Sequence, residues 1–193
     1  MTSAGQAPEV FARRPKRADA RRNYDSLVAA AREAFAESGA AASLEEVARR
    51  AGVGIGTLYR NFANRQELFE AVYVEEVRAL SLTAADLADL PPWDALVAWL
   101  HRFVAYVATK RALAEELLRD SAIFQNCRTE IYVAGEPMLR RAQEAGAVRA
   151  DVDFDDVVRL LSGLTMAQFP SPEQRDRVLG VALDGLRPLA GKG

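Results

Sequence analysis

Apolar residues recur at intervals of three and four along most of the chain, the spacing of helices with one buried face. Over 19–38 the inward positions are Leu27, Ala31 and Phe35, and Gly39 is expected to end this first helix. Further helices are predicted over 44–51, 56–62, 65–80, 93–109, 113–124, 129–145, 154–168 and 172–187. Because no segment alternates in the manner of a strand, the pattern predicts an all-α fold of about nine helices.

The segment from Ser43 to Phe62 predicts two short helices joined by a tight turn. Ser43 and Glu46 have the spacing of a capping box, in which each side chain bonds the backbone N–H of the other residue. Gly52 follows the first helix directly, where glycine readily adopts the left-handed conformation that ends a helix. Leu58 and Phe62 are the inward positions of the second helix. This pattern indicates a helix-turn-helix, in which the second helix enters the major groove of DNA.

The outward side of this second helix has chemistry that suits a nucleic acid. Gly54 and Gly56 keep its first turn free of bulky side chains, so that backbone N–H groups can approach a phosphate. The candidates for contacts with phosphates, base edges or a thymine methyl are Ile55, Thr57, Tyr59 and Arg60. The alternative is a plain helical hairpin whose glycines serve only the turn.

Residues 43–73 resemble the DNA-binding domain of the TetR family of transcriptional regulators. The residues that match the family pattern are Ala51, Gly52, Val53, Thr57, Leu58, Tyr59, Phe62 and Arg65. Gly54 stands where the family often has serine, and Ile55 where lysine, arginine or proline is common. These two departures bear on the operator sequence more than on the class of protein.

With this resemblance, the predicted roles divide between phosphates and the groove. Phosphate contacts are expected from Ser43, Tyr59 and Arg65. Groove contacts are expected from Ile55, Gly56, Thr57 and Arg60, with Gly54 at the start of the helix. The implied partners are a double-stranded DNA operator, a second copy of the chain and an unknown small-molecule effector.

The distribution of charge supports this interpretation, although the net charge of −2 does not. Residues 1–69 carry eleven Lys and Arg against eight Asp and Glu, a net charge of +3, and the rest of the chain carries −5. Six cations lie between residues 13 and 22: Arg13, Arg14, Lys16, Arg17, Arg21 and Arg22. We expect residues 1–17 to form a disordered basic arm that adds sequence-independent affinity for DNA. The alternative is a solvated tail without a partner.

Residues 18–63 are predicted to form the helix-turn-helix DNA-binding domain, and 64–193 a ligand-binding and dimerisation domain. The helix over 93–109 is apolar on two faces, so it is buried on two sides or borders a cavity. The candidate ligand-binding residues are Trp99, Phe103, Tyr106, Phe124, Tyr132, Met166 and Gln168. Each would also suit an ordinary core, but the resemblance favours a pocket for a largely apolar or aromatic molecule.

The last two predicted helices are the candidates for a dimer interface. Their selected residues are Phe154, Val158, Leu161, Val178, Ala182, Gly185 and Leu186. In the family, two such helices from each subunit form a four-helix interface. A two-fold dimer also presents two recognition helices to a palindromic operator, which a single helix cannot read. The alternative is that these faces only complete the core of one chain.

Other classes of protein have little support. The chain has no run of eighteen apolar residues and no recognisable signal peptide, so no membrane span and a cytoplasmic location are expected. One histidine, His101, and one cysteine, Cys127, do not make a catalytic or metal site, although a redox role for Cys127 stays open. The sequence GVGIG lacks the preceding strand of a dinucleotide-binding loop. We therefore expect neither an enzyme nor a cofactor.

The resulting hypothesis is a sequence-specific transcriptional regulator, a repressor that leaves a palindromic operator when the effector binds. The alternative function is a helical ligand-binding dimer that acts through protein partners and does not bind an operator.

Overall fold

The structure, a computed structural model, describes residues 14–15, 17–113 and 122–188. These residues form eight α-helices and one short 3-10 turn. The elements are α1 (Ala18–Ser38), the 3-10 turn (Gly39–Ala41), α2 (Leu44–Arg50), α3 (Ile55–Asn61), α4 (Arg65–Asp86), α5 (Pro92–Leu113), α6 (Ala122–Glu144), α7 (Phe154–Thr165) and α8 (Pro172–Asp184). No strand occurs in the described ranges, and the predicted all-α class is confirmed.

The observed helices differ from the predicted ones mainly in α4 and α6. Helix α4 continues past the predicted end at 80 to Asp86, and α6 runs unbroken through 125–128, where a gap between two helices was expected. Residues 125–128 include no helix breaker, and Cys127 is fully buried, so packing favours the continuous helix. Most of the predicted helix over 113–124, and Arg13 and Lys16 of the predicted arm, lie outside the described residues.

The described residues divide into two compact units. The first takes residues within 1–78 and 109–128, and the second takes residues within 79–108 and 129–193. Residues 65–78 of α4 belong to the same compact unit as the helix-turn-helix, whereas the predicted DNA-binding domain ends at residue 63. Phe69 of α4 stacks on Phe35 of α1 with ring centroids 4.0 Å apart, and both rings are fully buried.

The core of the first unit follows the hydrophobic pattern closely. Leu27, Ala31 and Phe35 of α1 are completely buried, as are Val47 of α2 and Leu58 of α3. These three helices pack on one another. A bundle of three short helices is thereby held together by aliphatic and aromatic side chains, which leaves the polar sides of α2 and α3 to solvent.

The second unit is built around Trp99 of α5. Its ring is completely buried, and its Nε1 donates to the carbonyl oxygen of Leu80 in α4 at 3.2 Å. Arg141 of α6 donates to the carbonyl oxygens of Ala88 and Leu90, at 2.8 Å and 2.6 Å, which fixes the connection between α4 and α5. None of the described helices is long and apolar enough to span a membrane.

Candidate nucleic-acid interface

The turn between α2 and α3 is a Schellman motif. Gly52 has a φ of +69°, and the N–H of Val53 donates to the carbonyl oxygen of Ala48 at 3.0 Å. The N–H of Gly52 donates to the carbonyl oxygen of Arg49 at 3.2 Å. These two bonds are the ones expected for a helix that ends in a left-handed glycine, and they fix the direction in which the chain enters α3.

The predicted capping box at the start of α2 is only half formed. The Oγ of Ser43 accepts from the N–H of Glu46 at 3.0 Å, as expected for an N-cap. The Glu46 carboxylate, however, accepts from Arg49 Nε at 2.8 Å and from Arg50 Nε at 2.7 Å. Charged donors are stronger partners for a carboxylate than a backbone N–H, which explains the difference from the prediction.

Arg50 joins α2 to the end of α1. Both of its terminal nitrogens donate to the Glu37 carboxylate, at 2.9 Å and 2.7 Å, while its Nε holds Glu46. Hydrogen bonds from Arg49 and Arg50 lower the pKa of Glu46 to about 2, and the bond from Arg50 lowers the pKa of Glu37. Both carboxylates are therefore charged at neutral pH, and α1 and α2 are connected by a charged bridge at the surface.

Helix α3 has one fully buried side and one exposed side. Leu58 is completely buried and Phe62 is 3 % exposed, with the Phe62 ring 5.1 Å from that of Tyr24. Ile55 is 37 % exposed and Tyr59 is 50 % exposed, and Gly54, Gly56 and Arg60 are also exposed. The residues that the sequence assigned to the groove thus share one outward face, with Thr57 half-buried at its edge.

The polar side chains of α3 lie close along its own backbone. Arg60 Nε donates to the carbonyl oxygen of Gly56 at 3.1 Å, and Asn61 Nδ2 donates to that of Thr57 at 2.8 Å. The bond to Gly56 holds the Arg60 guanidinium beside the first turn, where the side chain is exposed to solvent.

Nothing within the described part of the chain requires glycine at positions 54 and 56. A Cβ atom on Gly54 would meet no atom within 4 Å, and one on Gly56 would approach only Arg60 Nη2, at 4.0 Å. Gly54 has an ordinary φ of −72°, and Gly56 lies within a regular helix. Gly54 is the N-cap of α3, a position that glycine readily takes, whereas Gly56 carries the cost of about 1 kcal/mol of a glycine within a helix, which no contact of the described residues explains.

Arg65, whose phosphate contact stays a prediction, has partners within the fold. Its Nη1 donates to the carbonyl oxygen of Ala42, and its guanidinium carbon lies 5.3 Å from the Phe35 ring centroid and 4.9 Å from that of Phe69. The side chain therefore connects the start of α4 to the segment before α2 and stacks on the core rings. The sequence pattern did not reveal this structural role, because Ala42 is 23 residues away.

We expect the substitution Arg65→Met to lower the free energy of unfolding by about 1–2 kcal/mol, since it removes a hydrogen bond and a cation–π contact. Arg49→Met is the matched control, because Arg49 lies at the surface of the same unit and makes an exposed ion pair. Thermal unfolding followed by circular dichroism compares the two variants. Equal midpoints would contradict the structural role and leave a phosphate contact as the reason for Arg65.

The predicted ligand-binding residues belong to both units and differ in burial. Trp99, Phe103 and Tyr106 follow one another along α5 with ring centroids 5.8 Å and 6.1 Å apart, all at least 95 % buried. Phe124 belongs to the first unit, where its ring lies 4.6 Å from that of Tyr73. Met166 is 64 % exposed, and Gln168 is exposed as well. Their roles as ligand contacts remain predictions.

Tyr132 belongs to a polar network that the sequence did not suggest. Its hydroxyl donates to the Asp155 carboxylate, which also accepts from Arg159. Two residues before Tyr132 in α6, Glu130 is half-buried, and burial raises the pKa of its carboxyl group. His101 is exposed, and the described residues include no group of three His, Cys, Asp or Glu side chains that could hold a metal ion.

Helices α7 and α8 pack together. Four large apolar side chains on these helices or at the end of α7 are exposed: Leu160, Met166, Val178 and Val181, by 46 %, 64 %, 36 % and 73 %. Of the predicted dimer residues, Phe154, Leu161 and Leu186 are buried within the second unit, which is the alternative left open for them. Val158 and Ala182 are half-buried, and Gly185 is exposed. Leu160 and Val181 were not among the predicted residues.

Two protein-family models match the chain. Residues 27–72 match the model described as bacterial regulatory proteins, tetR family. Residues 91–188 match the model described as transcriptional regulator SbtR-like, C-terminal domain. The first match covers the helix-turn-helix, and the second covers about half of the chain.

Solved structures and curated proteins agree with these models. A TetR transcriptional regulator from Streptomyces coelicolor is 39 % identical, with a TM-score of 0.75 over 86 % of this chain and 99 % of its own. A TetR transcription regulatory protein from Mycobacterium vanbaalenii is 34 % identical, with a TM-score of 0.72 over 90 % of this chain and 99 % of its own. The HTH-type transcriptional regulator UidR of Escherichia coli strain K12 is 25 % identical over 175 residues, 86 % of this chain and 89 % of that protein.

Proposed function

The chain belongs to the TetR family of transcriptional regulators, and from this premise we propose that it is a repressor released from a palindromic operator by a small molecule. Regulators of this family bind operator DNA, form homodimers and bind small-molecule effectors in a C-terminal domain. The proposal concerns the direction of regulation, the residues that act and the kind of effector, a largely apolar or aromatic molecule.

The observation that carries the proposal is the outer face of α3. Leu58 and Phe62 bury its inner face, while Ile55, Tyr59 and Arg60 are exposed to solvent beside two glycines at which a Cβ atom would have open space. In the proposed complex, Arg60 and Thr57 contact base edges and Ile55 contacts a thymine methyl. Tyr59 and Ser43 hold phosphates and fix the position of the helix.

The proposed release follows from symmetry. Two recognition helices of a two-fold dimer fit successive major grooves only when they are roughly 34–36 Å apart, or a multiple of that spacing. An effector that binds one dimer geometry more tightly than the other shifts the population toward it and thereby changes operator affinity. The buried aromatic rings of α5 support an apolar or aromatic effector, since such rings line most small-molecule sites.

Selection of bound duplexes from a random DNA pool tests this function. We expect palindromic sequences, and an affinity that falls by orders of magnitude between 50 and 200 mM salt, as roughly six or more phosphate contacts would require. Recovery of no preferred duplex, together with a stable dimer by light scattering, would instead favour the ligand-binding dimer that acts through protein partners.

We expect Arg60→Ala to weaken the selected operator by about 1–3 kcal/mol and to relax the preference at one base pair of each half-site, if Arg60 reads a base. Arg140→Ala is the matched control, because Arg140 is an exposed arginine of α6 in the second unit. Fluorescence anisotropy with the operator and with single-base variants measures both effects. Equal weakening on every duplex would assign Arg60 to a phosphate, and no weakening would remove it from the interface.

The remaining parts of the proposal are the absence of catalysis and a cytoplasmic location. The related proteins are transcriptional regulators, which supports the absence of catalysis. Such regulators bind the bacterial genome, which supports a cytoplasmic location. A hydrolase or oxidoreductase activity that purified protein retains, and that surface substitutions do not remove, would contradict the first part.

A further inference from the structure

Arg14 is bonded to helix α1 through one carboxylate. Arg14 donates from Nε to Asp25 Oδ1 at 2.8 Å and from Nη2 to Asp25 Oδ2 at 2.5 Å. The two side chains are only 23 % and 39 % exposed, and the residues are eleven apart in the chain. A two-pronged bond of this kind is the strongest form of an arginine–carboxylate pair.

A second cation lies near the same carboxylate. Arg21 Nε is 4.0 Å from Asp25 Oδ2, one turn away on α1. Arg14 is held further by the charge of Glu75 in α4, and the bond with Asp25 together with this attraction raises the pKa of Arg14. Asp25 therefore engages two of the cations that the sequence assigned to DNA.

The other acidic partner within the basic segment does not have this geometry. Asp19 pairs with Arg22 three residues away, and these side chains are 88 % and 72 % exposed. An exposed pair of this kind contributes little and is readily exchanged for a phosphate. Arg14 also precedes Pro15, which restricts its backbone to extended conformations and reduces the ways in which the side chain can leave Asp25.

We propose that Asp25 withholds Arg14 from DNA and so limits the sequence-independent affinity of the arm. A cation that already has a carboxylate partner within the protein displaces no counterion from DNA, and counterion release drives non-specific binding. With Arg14 withheld, the sequence-independent part of the affinity falls alike on the operator and on arbitrary sequences, so the regulator leaves non-specific DNA more readily. Asp25 is a positioning residue in this proposal, which rests on the proposed function because the competing phosphates are those of DNA.

The test measures the dependence of affinity on salt for wild type and Asp25→Asn, with the selected operator and with an unrelated duplex of equal length. Each released cation that reaches a phosphate makes the slope of log K against log salt steeper by about 0.9. We expect the Asp25→Asn slope to steepen by about 1–2 on both duplexes, and its non-specific affinity in low salt to rise about tenfold.

Three further variants distinguish the effect of breaking the Arg14–Asp25 ion pair from the effect of removing one negative charge. Glu33→Gln removes one negative charge from an exposed position on the same helix without freeing Arg14, and we expect it to leave the slope unchanged. Arg14→Ala alone should also leave the slope unchanged, because this arginine is already withheld. Arg14→Ala combined with Asp25→Asn should lose about 0.9 of the gain.

The outcomes distinguish the two proposals. An unchanged slope in Asp25→Asn, an equal gain in Glu33→Gln or a clear loss in Arg14→Ala alone would each overturn the withholding role while leaving operator binding intact. A wild-type chain that binds neither duplex overturns the proposed function and the withholding role together. Thermal midpoints of all variants establish that each is folded, and Arg14→Ala alone keeps the test decisive if Asp25→Asn does not fold.

Discussion

Gly56→Leu is expected to abolish specific operator binding, with a loss of more than two orders of magnitude or about 3 kcal/mol, while the protein becomes slightly more stable. The two effects have opposite signs because the added side chain has open space within the protein, whereas in the proposed complex it would meet the DNA groove. A Cβ atom at Gly56 approaches only the end of Arg60, 4.0 Å away. Leucine is a good helix former, so the gain in stability approaches about 1 kcal/mol.

The loss of binding follows from the short distance that a recognition helix needs between its first turn and the base edges. Contacts with base edges need donor–acceptor distances near about 3 Å, and a branched side chain on the first turn keeps the backbone several ångströms further away. Gly56→Ala should give the same pattern at smaller scale, since a single methyl group can be partly accommodated. A graded loss from glycine to alanine to leucine indicates a steric limit rather than a lost hydrogen bond.

Thermal unfolding and anisotropy titration on one preparation measure both effects. Gly163→Leu is the control for stability, because Gly163 is an exposed glycine of α7 at which a Cβ atom would meet no atom within 4 Å. Light scattering checks that this control remains a dimer. If Gly56→Leu bound the operator as tightly as wild type, α3 would not lie with its first turn in the groove.

The parts of the fold that sequence predicted correctly depend on local periodicity. Leu58 and Phe62 are buried, and Gly52 adopts a positive φ, because helix spacing and the conformational range of glycine act within a few residues. The second bond of the capping box, predicted for Glu46, was wrong, and the contacts of Arg65 within the fold were not predicted. Their partners are chosen by distance in space, and a motif read along the chain does not show that an arginine or a distant carbonyl oxygen lies closer than the expected partner.

The same reasoning explains what remained invisible in the second half of the chain. The sequence placed Phe154 on a dimer face because it begins an apolar stripe. In the structure its ring centroid lies 5.8 Å from that of Trp99 and 5.3 Å from that of Tyr132, within one unit. The pattern of an amphipathic helix shows that one face is buried, but it does not show whether that face packs on another helix of the same chain or on a second subunit. For Gly135, the sequence offered no signal, because the reason for that glycine is the presence of two rings from other helices.

Gly135→Ala is expected to destabilise the protein by about 3 kcal/mol or more, although alanine is favoured over glycine in a helix by about 1 kcal/mol. A Cβ atom at this buried position of α6 would lie 2.2 Å from Cζ of Phe154 and 2.6 Å from Cη2 of Trp99. Real carbon atoms do not approach so closely, so at least one ring must move. Trp99 is completely buried and bonded to the carbonyl oxygen of Leu80, which leaves little room for it to do so.

A double-mutant cycle identifies the overlap as the cause. Phe154→Leu removes the ring atoms nearest to Gly135, so adding it to Gly135→Ala should recover at least about 1 kcal/mol relative to the sum of the single effects. Recovery stays partial because the contact with Trp99 remains. Gly163→Ala, at an exposed helical glycine with open space, should raise the thermal midpoint, and this opposite sign for the same substitution separates packing from helix propensity. Additive single effects in chemical denaturation, or a Gly135→Ala variant as stable as wild type, would show that α6 can shift away from the two rings.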